Sequence, residues 1–240
     1  MPEYIVPAIM LLAVFTQSLS GFGMGLVSMS LLPTIIDVKI ASPLVASLSI
    51  LVHWILAIYY RRTLDISAVK RLVVGLAIAI PLGVLALRKV PSEAVLAILG
   101  IVLVSYSLYS LFNFKLPKIT SPRWAYLFGF MSGLLSGAYN TGGPPVIIYA
   151  DCMGWDRAKF KSNLQSFFSV SSTIVVTTHT IQGNYNGQVL QLFLFCLPSL
   201  IIGMLAGTFV SRFINTVVFR KLILVLLLVM GLRLIYSSVF

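Results

Sequence analysis

The chain is a succession of long apolar stretches separated by short polar connections. Most stretches are close to the roughly 20 residues that cross a bilayer core as a helix, and none shows the alternation of a barrel strand. This pattern predicts an all-α, polytopic integral membrane protein with a single membrane domain over residues 1–240. The stretches cover residues 4–36, 42–60, 72–88, 92–112, 124–149, 163–181, 189–210 and 216–239.

Composition and charge support the membrane prediction. Hydrophobic residues make up 59% of the chain and charged residues only 10%, against about 25% charged in soluble domains. The net charge of +11 does not indicate a nucleic-acid partner, because Lys and Arg lie in the connections, as the positive-inside rule predicts. Cys152 and Cys196 are far apart in sequence, so we expect no disulfide, no metal site and no cofactor.

Two of the apolar stretches are interrupted by glycines at related positions. The first contains SLSGFGMG near residue 20, and the second contains SGAYNTGGPP at 136–145. Ser20-Gly21 and Ser136-Gly137 are 116 residues apart, and a second set of matches recurs at an offset of 124. That second set pairs Ala79, Gly83 and Arg88 with Gly203, Gly207 and Arg212. The sequence therefore predicts two copies of one unit, residues 1–114 and 120–240.

The distribution of Lys and Arg decides between two topologies. If all eight stretches crossed once, nine basic residues would lie on one side and seven on the other, which gives no orientation. If each glycine-broken stretch instead enters and returns, the division becomes thirteen against three, a clear positive-inside pattern. The three on the minority side are Lys39, Arg88 and Lys89.

This topology gives each unit one broken, re-entrant hairpin and three transmembrane helices. Three crossings is an odd number, so the second unit must be inverted relative to the first. We expect both termini on the side of the membrane opposite the cytoplasm, with hairpins that enter from opposite faces and meet near the midplane. Discontinuous helices at such a repeat interface are where secondary transporters bind their substrates.

The hairpin tips predict a site for a small anion. Glycines expose backbone N–H groups, and a helix that starts at the tip points its positive dipole end toward the midplane. The site would be built without a fixed cation. The candidate substrate-binding residues are Gln17, Ser20, Gly21, Ser136, Tyr139, Asn140, Thr141, Gly142, Gly143, Asn163 and Gln165.

Several alternatives stay open from the residues alone. The hairpin glycines could serve only close helix packing, as we expect for Gly75-Ala79-Gly83 and Gly203-Gly207. Asn163 and Gln165 could form helix–helix hydrogen bonds instead of contacting substrate. His53 and His179 are candidates for proton relay. A non-transporting membrane scaffold is a second functional class, and an intramembrane hydrolase that uses Ser136 with His179 is a third.

The broken segments also resemble a known family. LSGFGMGLVSMSLLP in the first unit and SGLLSGAYNTGGPPVIIYADCMGW in the second are similar to the duplicated glycine-rich hairpins of the TauE/SafE family of sulfite exporters. The resemblance extends over essentially the whole chain. It implies a membrane transporter, not an enzyme, that moves sulfite, organosulfonates such as sulfoacetate, or related small anions across a bacterial inner membrane, so that both termini would be periplasmic. The anion, the coupling ion and the oligomeric state stay open.

Overall fold

A computed structural model describes residues 2–112, 117–119, 121–211, 213 and 216–239. Within these residues the chain forms ten α-helices and two single 3₁₀ turns, Leu32–Thr34 and Arg61–Thr63. The helices are α1 (Pro2–Ser20), α2 (Met24–Leu31), α3 (Val38–Tyr60), α4 (Ile66–Lys89), α5 (Ser92–Phe112), α6 (Trp124–Tyr139), α7 (Gly143–Cys152), α8 (Arg157–Ile181), α9 (Gly187–Val210) and α10 (Thr216–Val239).

The helix ends follow the predicted stretches closely, with one systematic difference. The helices α3, α4 and α8 begin four to six residues before the apolar stretches do. Each starts at an aspartate whose carboxylate accepts hydrogen bonds from first-turn N–H groups: Asp37, Asp65 and Asp156. Side-chain capping favours helix initiation at polar residues that hydropathy alone does not count. The predicted starts were therefore late by about one turn.

Both glycine-broken stretches form pairs of helices joined by a short break. The first pair is α1 and α2, interrupted at residues 21–23, and the second is α6 and α7, interrupted at 140–142. The returning helices are short, with 8 and 10 residues, about 12 and 15 Å long. The arms α1 and α6 have 19 and 16 residues. They are longer than the roughly ten helical residues that reach the midplane of a bilayer core about 30 Å thick.

Each hairpin packs mainly on the other half of the chain. The helix α1 contacts α9, and its counterpart α6 contacts α4. If each helix is replaced by its equivalent in the other half, the contact of α4 with α8 corresponds to the contact of α9 with α3. The equivalent helices α3 and α8, and likewise α5 and α10, contact each other across the two halves. The largest contacts thus have counterparts when the two units predicted from the sequence are exchanged. The opposite orientation of the units in a membrane stays a prediction.

Glycines allow these helices to approach closely. A Cβ built on Gly83 would overlap the Leu134 carbonyl oxygen, and one on Gly207 would lie 2.6 Å from the Phe15 carbonyl oxygen. Both are backbone atoms, so neither position has room for a side chain. The packing role predicted for Gly75-Ala79-Gly83 and Gly203-Gly207 is therefore confirmed at the α4–α6 and α1–α9 contacts.

Among the described residues, five segments are long and apolar enough to cross a membrane. The helix α8 has 25 residues but is not one of them, because Ser, Thr, Asn and Gln interrupt it. Its polar residues Ser162, Asn163, Gln165 and His179 are nonetheless fully buried inside the protein. The prediction of an all-α polytopic membrane protein is confirmed. The five segments are Val38–Thr63, Ile66–Lys89, Ser92–Phe112, Gly187–Val210 and Lys221–Ser238.

Candidate functional site: the two hairpin tips

The first tip is a tight turn that depends on two glycines. Gly21 and Gly23 have φ of 89° and 112°, in the region that residues with a Cβ rarely adopt. The Ser20 hydroxyl closes the turn, since it donates to the carbonyl oxygens of Thr16 at 2.7 Å or Phe22 at 2.6 Å. Ser20, predicted to contact substrate, is therefore engaged in holding the tip.

A pair of buried glutamines connects the first tip to α8. The Gln17 amide contacts the Gln165 side-chain oxygen at 3.3 Å, and both amides donate to the Gly21 carbonyl. The Gln17 side-chain oxygen accepts the N–H of Met24 at 3.1 Å, the first residue of α2. Three predicted site residues, Gln17, Gly21 and Gln165, are thus brought together, and their hydrogen bonds fix the tip against the other half.

The second tip ends on an asparagine in a left-handed conformation. Asn140 has φ 55° and terminates α6, a role that Asn tolerates better than most residues. Its amide donates to the carbonyl of Ser42 at 2.8 Å and to the Ser42 hydroxyl at 3.1 Å. The second tip is therefore held by α3, as the first tip is held by α8.

The residues after Asn140 are packed to different degrees. A Cβ on Gly142 would overlap the Ser136 hydroxyl, and Ser132 donates to the Gly142 carbonyl. A Cβ on Gly143 would meet only ordinary contacts at 3.7 and 3.8 Å. Close packing is therefore required at Gly142 but not at Gly143. Tyr139 is 4% exposed, and the Thr141 hydroxyl, 1% exposed, has no hydrogen-bond partner among the described residues.

The two tips touch each other. A Cβ built on Gly25, in the first turn of α2, would overlap the carbonyl oxygen of Asn140 and lie 3.5 Å from the Thr141 nitrogen. The backbones of the two hairpins are in contact at this point, between the two broken helices. The starts of α2 and α7, where the positive ends of the helix dipoles lie, are consequently close to this contact.

Asn163 lies elsewhere. Its side-chain oxygen accepts the N–H of Asp65 at 2.8 Å, and so ties α8 to the start of α4. The amide nitrogen is buried with no partner among the described residues. This arrangement agrees with the alternative that Asn163 forms a helix–helix hydrogen bond, and its role in substrate binding stays a prediction.

Sequence reasoning missed two residues next to the tips. Ser42 holds Asn140, but the sequence shows it only as one serine of an apolar helix. The Lys161 side chain lies against Gly21, where its Cγ and Cε would be 3.6 and 3.9 Å from a Cβ. From the sequence, Lys161 was interpreted only as one of the basic residues on the cytoplasmic side. The site without a fixed cation stays a prediction, and the Lys161 stem lies close to its first tip.

The two histidines occupy different surroundings. His179 is 0% exposed, with one ring nitrogen 2.8 Å from the Asn184 amide and the other 3.5 Å from the Ser42 hydroxyl, the limit for a hydrogen bond. It is buried inside the protein. His53 stacks on Phe168 with ring centroids 5.3 Å apart. Among the described hydrogen bonds, the ring of His179 is joined to Ser42 and not to Ser136.

Comparison with known proteins gives one match. No curated protein and no solved structure matches the chain. A family model described as sulfite exporter TauE/SafE matches residues 6–234, nearly the full length and both broken hairpins. The apolar helices and the duplicated hairpins agree with this assignment. The chain belongs to the TauE/SafE family of sulfite exporters.

Proposed function

We propose that this protein exports a small anion from the bacterial cytoplasm across the inner membrane by alternating access. The preferred substrate is sulfite or a sulfur-containing organic anion such as sulfoacetate. The observation that supports this proposal is the contact between the two hairpin tips at Gly25 and Asn140. A site between two broken helices can be opened to either side when one unit moves relative to the other.

The proposed site has one wall from each hairpin. One wall contains Ser136, Tyr139, Asn140, Thr141, Gly142 and Gly143, and the other contains Gln17, Ser20 and Gly21, with Gln165 on α8 beside them. Asn163, at the contact of α8 with the start of α4, is a further candidate outside these two walls. Pro144 and Pro145 occupy the first turn of α7 and have no N–H, so Gly142 and Gly143 supply the first backbone donors there. The unpartnered Thr141 hydroxyl would donate a hydrogen bond to a bound oxyanion, which offsets part of the dehydration of both groups.

Most of the predicted site residues already have partners in the protein. Gln17, Gln165 and Asn140 hold the tips to α8 and α3. A substrate that enters must exchange some of these hydrogen bonds for its own. Because a ligand shifts a conformational equilibrium only when it binds the two conformations with different affinity, this exchange of hydrogen bonds allows the anion to favour one conformation of the transporter.

Flux in sealed vesicles tests the proposal. The purified protein would be reconstituted into liposomes loaded with sulfite or sulfoacetate, and release of the anion would be followed against protein-free liposomes. We expect protein-dependent release that saturates with anion concentration and is inhibited by the second anion. Release no faster than that of empty liposomes for sulfite, sulfoacetate and taurine would reject the transporter and favour a scaffold.

A further inference from the structure

Lys161 lies beside the first hairpin tip. It is one helical turn before Gln165 on α8, so both side chains project on the same face. The Lys161 methylenes lie beside Gly21, within 3.6 to 3.9 Å of where a Cβ would be. The side chain is partly buried. The hydrogen bonds that hold the tip are made by the glutamines and not by the lysine.

The Lys161 ammonium has an aromatic partner. Its Nζ lies 5.2 Å from the centroid of the Tyr60 ring, at the end of α3, within the range of a cation–π contact. The ion pair found among the described residues is the one between Lys159 and Asp65, at 2.8 Å. Lys161 therefore has no carboxylate partner in the described part of the chain.

A partly buried ammonium held by an aromatic ring is a good partner for an anion. The ring compensates only part of the hydration that the ammonium loses, because a cation–π contact is weaker than a charged hydrogen bond. The side chain is also flexible, with a compact charge and three donors. The Gln17 amide already donates to the Gly21 carbonyl and to the Gln165 side-chain oxygen, and the Gln165 amide donates one of its two protons to the same carbonyl, so most of these donors are engaged in holding the tip.

We propose that Lys161 is the cation that binds the substrate anion at the first hairpin tip, on the side of the site that faces Tyr60. The ligand is an oxyanion of sulfite or of a sulfonate, whose oxygens accept the Lys161 ammonium protons in place of the Tyr60 ring. This inference rests on the proposed function and adds the fixed charge of the site.

Binding to the purified full-length protein tests this role. The probes are sulfoacetate and sulfite, titrated by calorimetry against the parent, Lys161→Met and Lys161→Arg. Loss of a charged hydrogen bond predicts about 10- to 100-fold weaker binding for Lys161→Met. The Lys161→Arg variant should keep most of the affinity because it keeps the charge. The matched control is Lys159→Met, two residues away on the same helix and paired with Asp65, which should bind like the parent.

A second measurement separates the charge from packing if Lys161→Met does not fold. In a background with Cys152→Ser and Cys196→Ser, the Lys161→Cys variant would react with aminoethyl or ethyl methanethiosulfonate. The two adducts have similar size, and only the first restores an ammonium. Tighter anion binding for the aminoethyl adduct supports the proposal, and equal binding by the two adducts overturns it.

The outcomes distinguish this inference from the proposed function. If the parent binds and releases sulfoacetate while Lys161→Met binds it equally well, Lys161 is not the anion partner and the transporter proposal stands. If the folded parent neither binds nor moves sulfite or sulfoacetate, the proposed function fails, and the Lys161 role fails with it. A similar loss in Lys159→Met also overturns the inference, because a general surface charge would then be responsible.

Discussion

Gly25 in the first hairpin lies directly against the backbone of Asn140 in the second, so the two broken helices meet without a side chain between them. These residues are 115 positions apart in sequence and belong to different units. The contact is between main-chain atoms and is therefore sensitive to the smallest possible side chain.

Replacing Gly25 by alanine tests this contact. The added methyl would overlap the Asn140 carbonyl oxygen, so one hairpin must shift, and overpacking of this kind costs about 1–3 kcal/mol. We expect a lower unfolding temperature in detergent and slower anion flux. Gly187→Ala is the matched control, since a Cβ there has no atom within 4 Å. If both variants behave like the parent, the tips are further apart than the structure has them.

Two neighbouring glycines at the second tip should respond differently. Gly142→Ala would overlap the Ser136 hydroxyl, whereas Gly143→Ala meets only contacts of 3.7 and 3.8 Å. We expect Gly142→Ala to reduce anion binding and flux, and Gly142→Val to reduce them more, while Gly143→Ala stays near the parent. Binding and flux measured side by side on the two alanine variants check this. Equal losses would mean that helix flexibility and not space limits this tip.

The backbone and the side chain of Asn140 can be tested separately. Asn140→Gly keeps the left-handed conformation at φ 55° but loses both hydrogen bonds to Ser42. Asn140→Ala loses the same bonds and adds about 1–2 kcal/mol of backbone strain. We therefore expect both to lose about 1 kcal/mol of stability from the hydrogen bonds, and Asn140→Ala to unfold at the lower temperature. Identical unfolding of the two variants would contradict the left-handed conformation.

The predicted topology places Arg62 in the cytoplasm and Lys89 in the periplasm. Both residues are exposed at helix ends, so single cysteines there should react with a membrane-impermeant maleimide if they are outside the cell. In the background without native cysteines, we expect Lys89→Cys to be labelled in whole cells and Arg62→Cys only after permeabilisation. Labelling of Arg62→Cys in intact cells would reverse the orientation.

The connection between α3 and α4 should have a pH-dependent contribution to stability. The hydrogen bond from Lys159, followed by the N–H of Ala68, lowers the pKa of the Asp65 carboxyl from its ordinary value of 3.8. A lowered pKa in the folded state means that the stabilisation is complete above pH 3.8 and disappears as the pH falls through the folded-state pKa.

Asp65→Asn checks this sign. Because the two side chains are 39% and 33% exposed, we expect a loss of about 0.2–1 kcal/mol at neutral pH, and a smaller difference from the parent below pH 3.8. Unfolding in detergent would be followed across this range, with Asp156→Asn as a control, since its capping bonds go to backbone N–H groups. A difference that grows in acid would contradict the assignment.

The sequence predicted the hairpins because glycine and proline leave a local signal. The breaks at 21–23 and 140–142, and the prolines at the start of α7, can be predicted from the local sequence without knowing which helices they contact. The helices that the two tips contact could not be predicted in the same way. Whether Gln165 meets Gly21 or a neighbouring helix depends on the packing of α8, and Ser42 differs from other buried serines only in facing Asn140. The position of Lys161 beside the first tip was not predicted, because its charge was already explained by membrane topology.

The composition of α8 has a consequence for how the chain is assembled. Its hydroxyls return to its own turns, as when Ser172 donates to the Phe168 carbonyl and Thr178 to that of Ile174, yet α8 is not among the segments apolar enough to cross a membrane alone. A helix that is not apolar enough to enter lipid alone is expected to depend on contacts with neighbouring helices during membrane insertion. During biosynthesis we expect α8 to settle against α3 and α4, two helices that precede it in the chain and that it contacts in the fold.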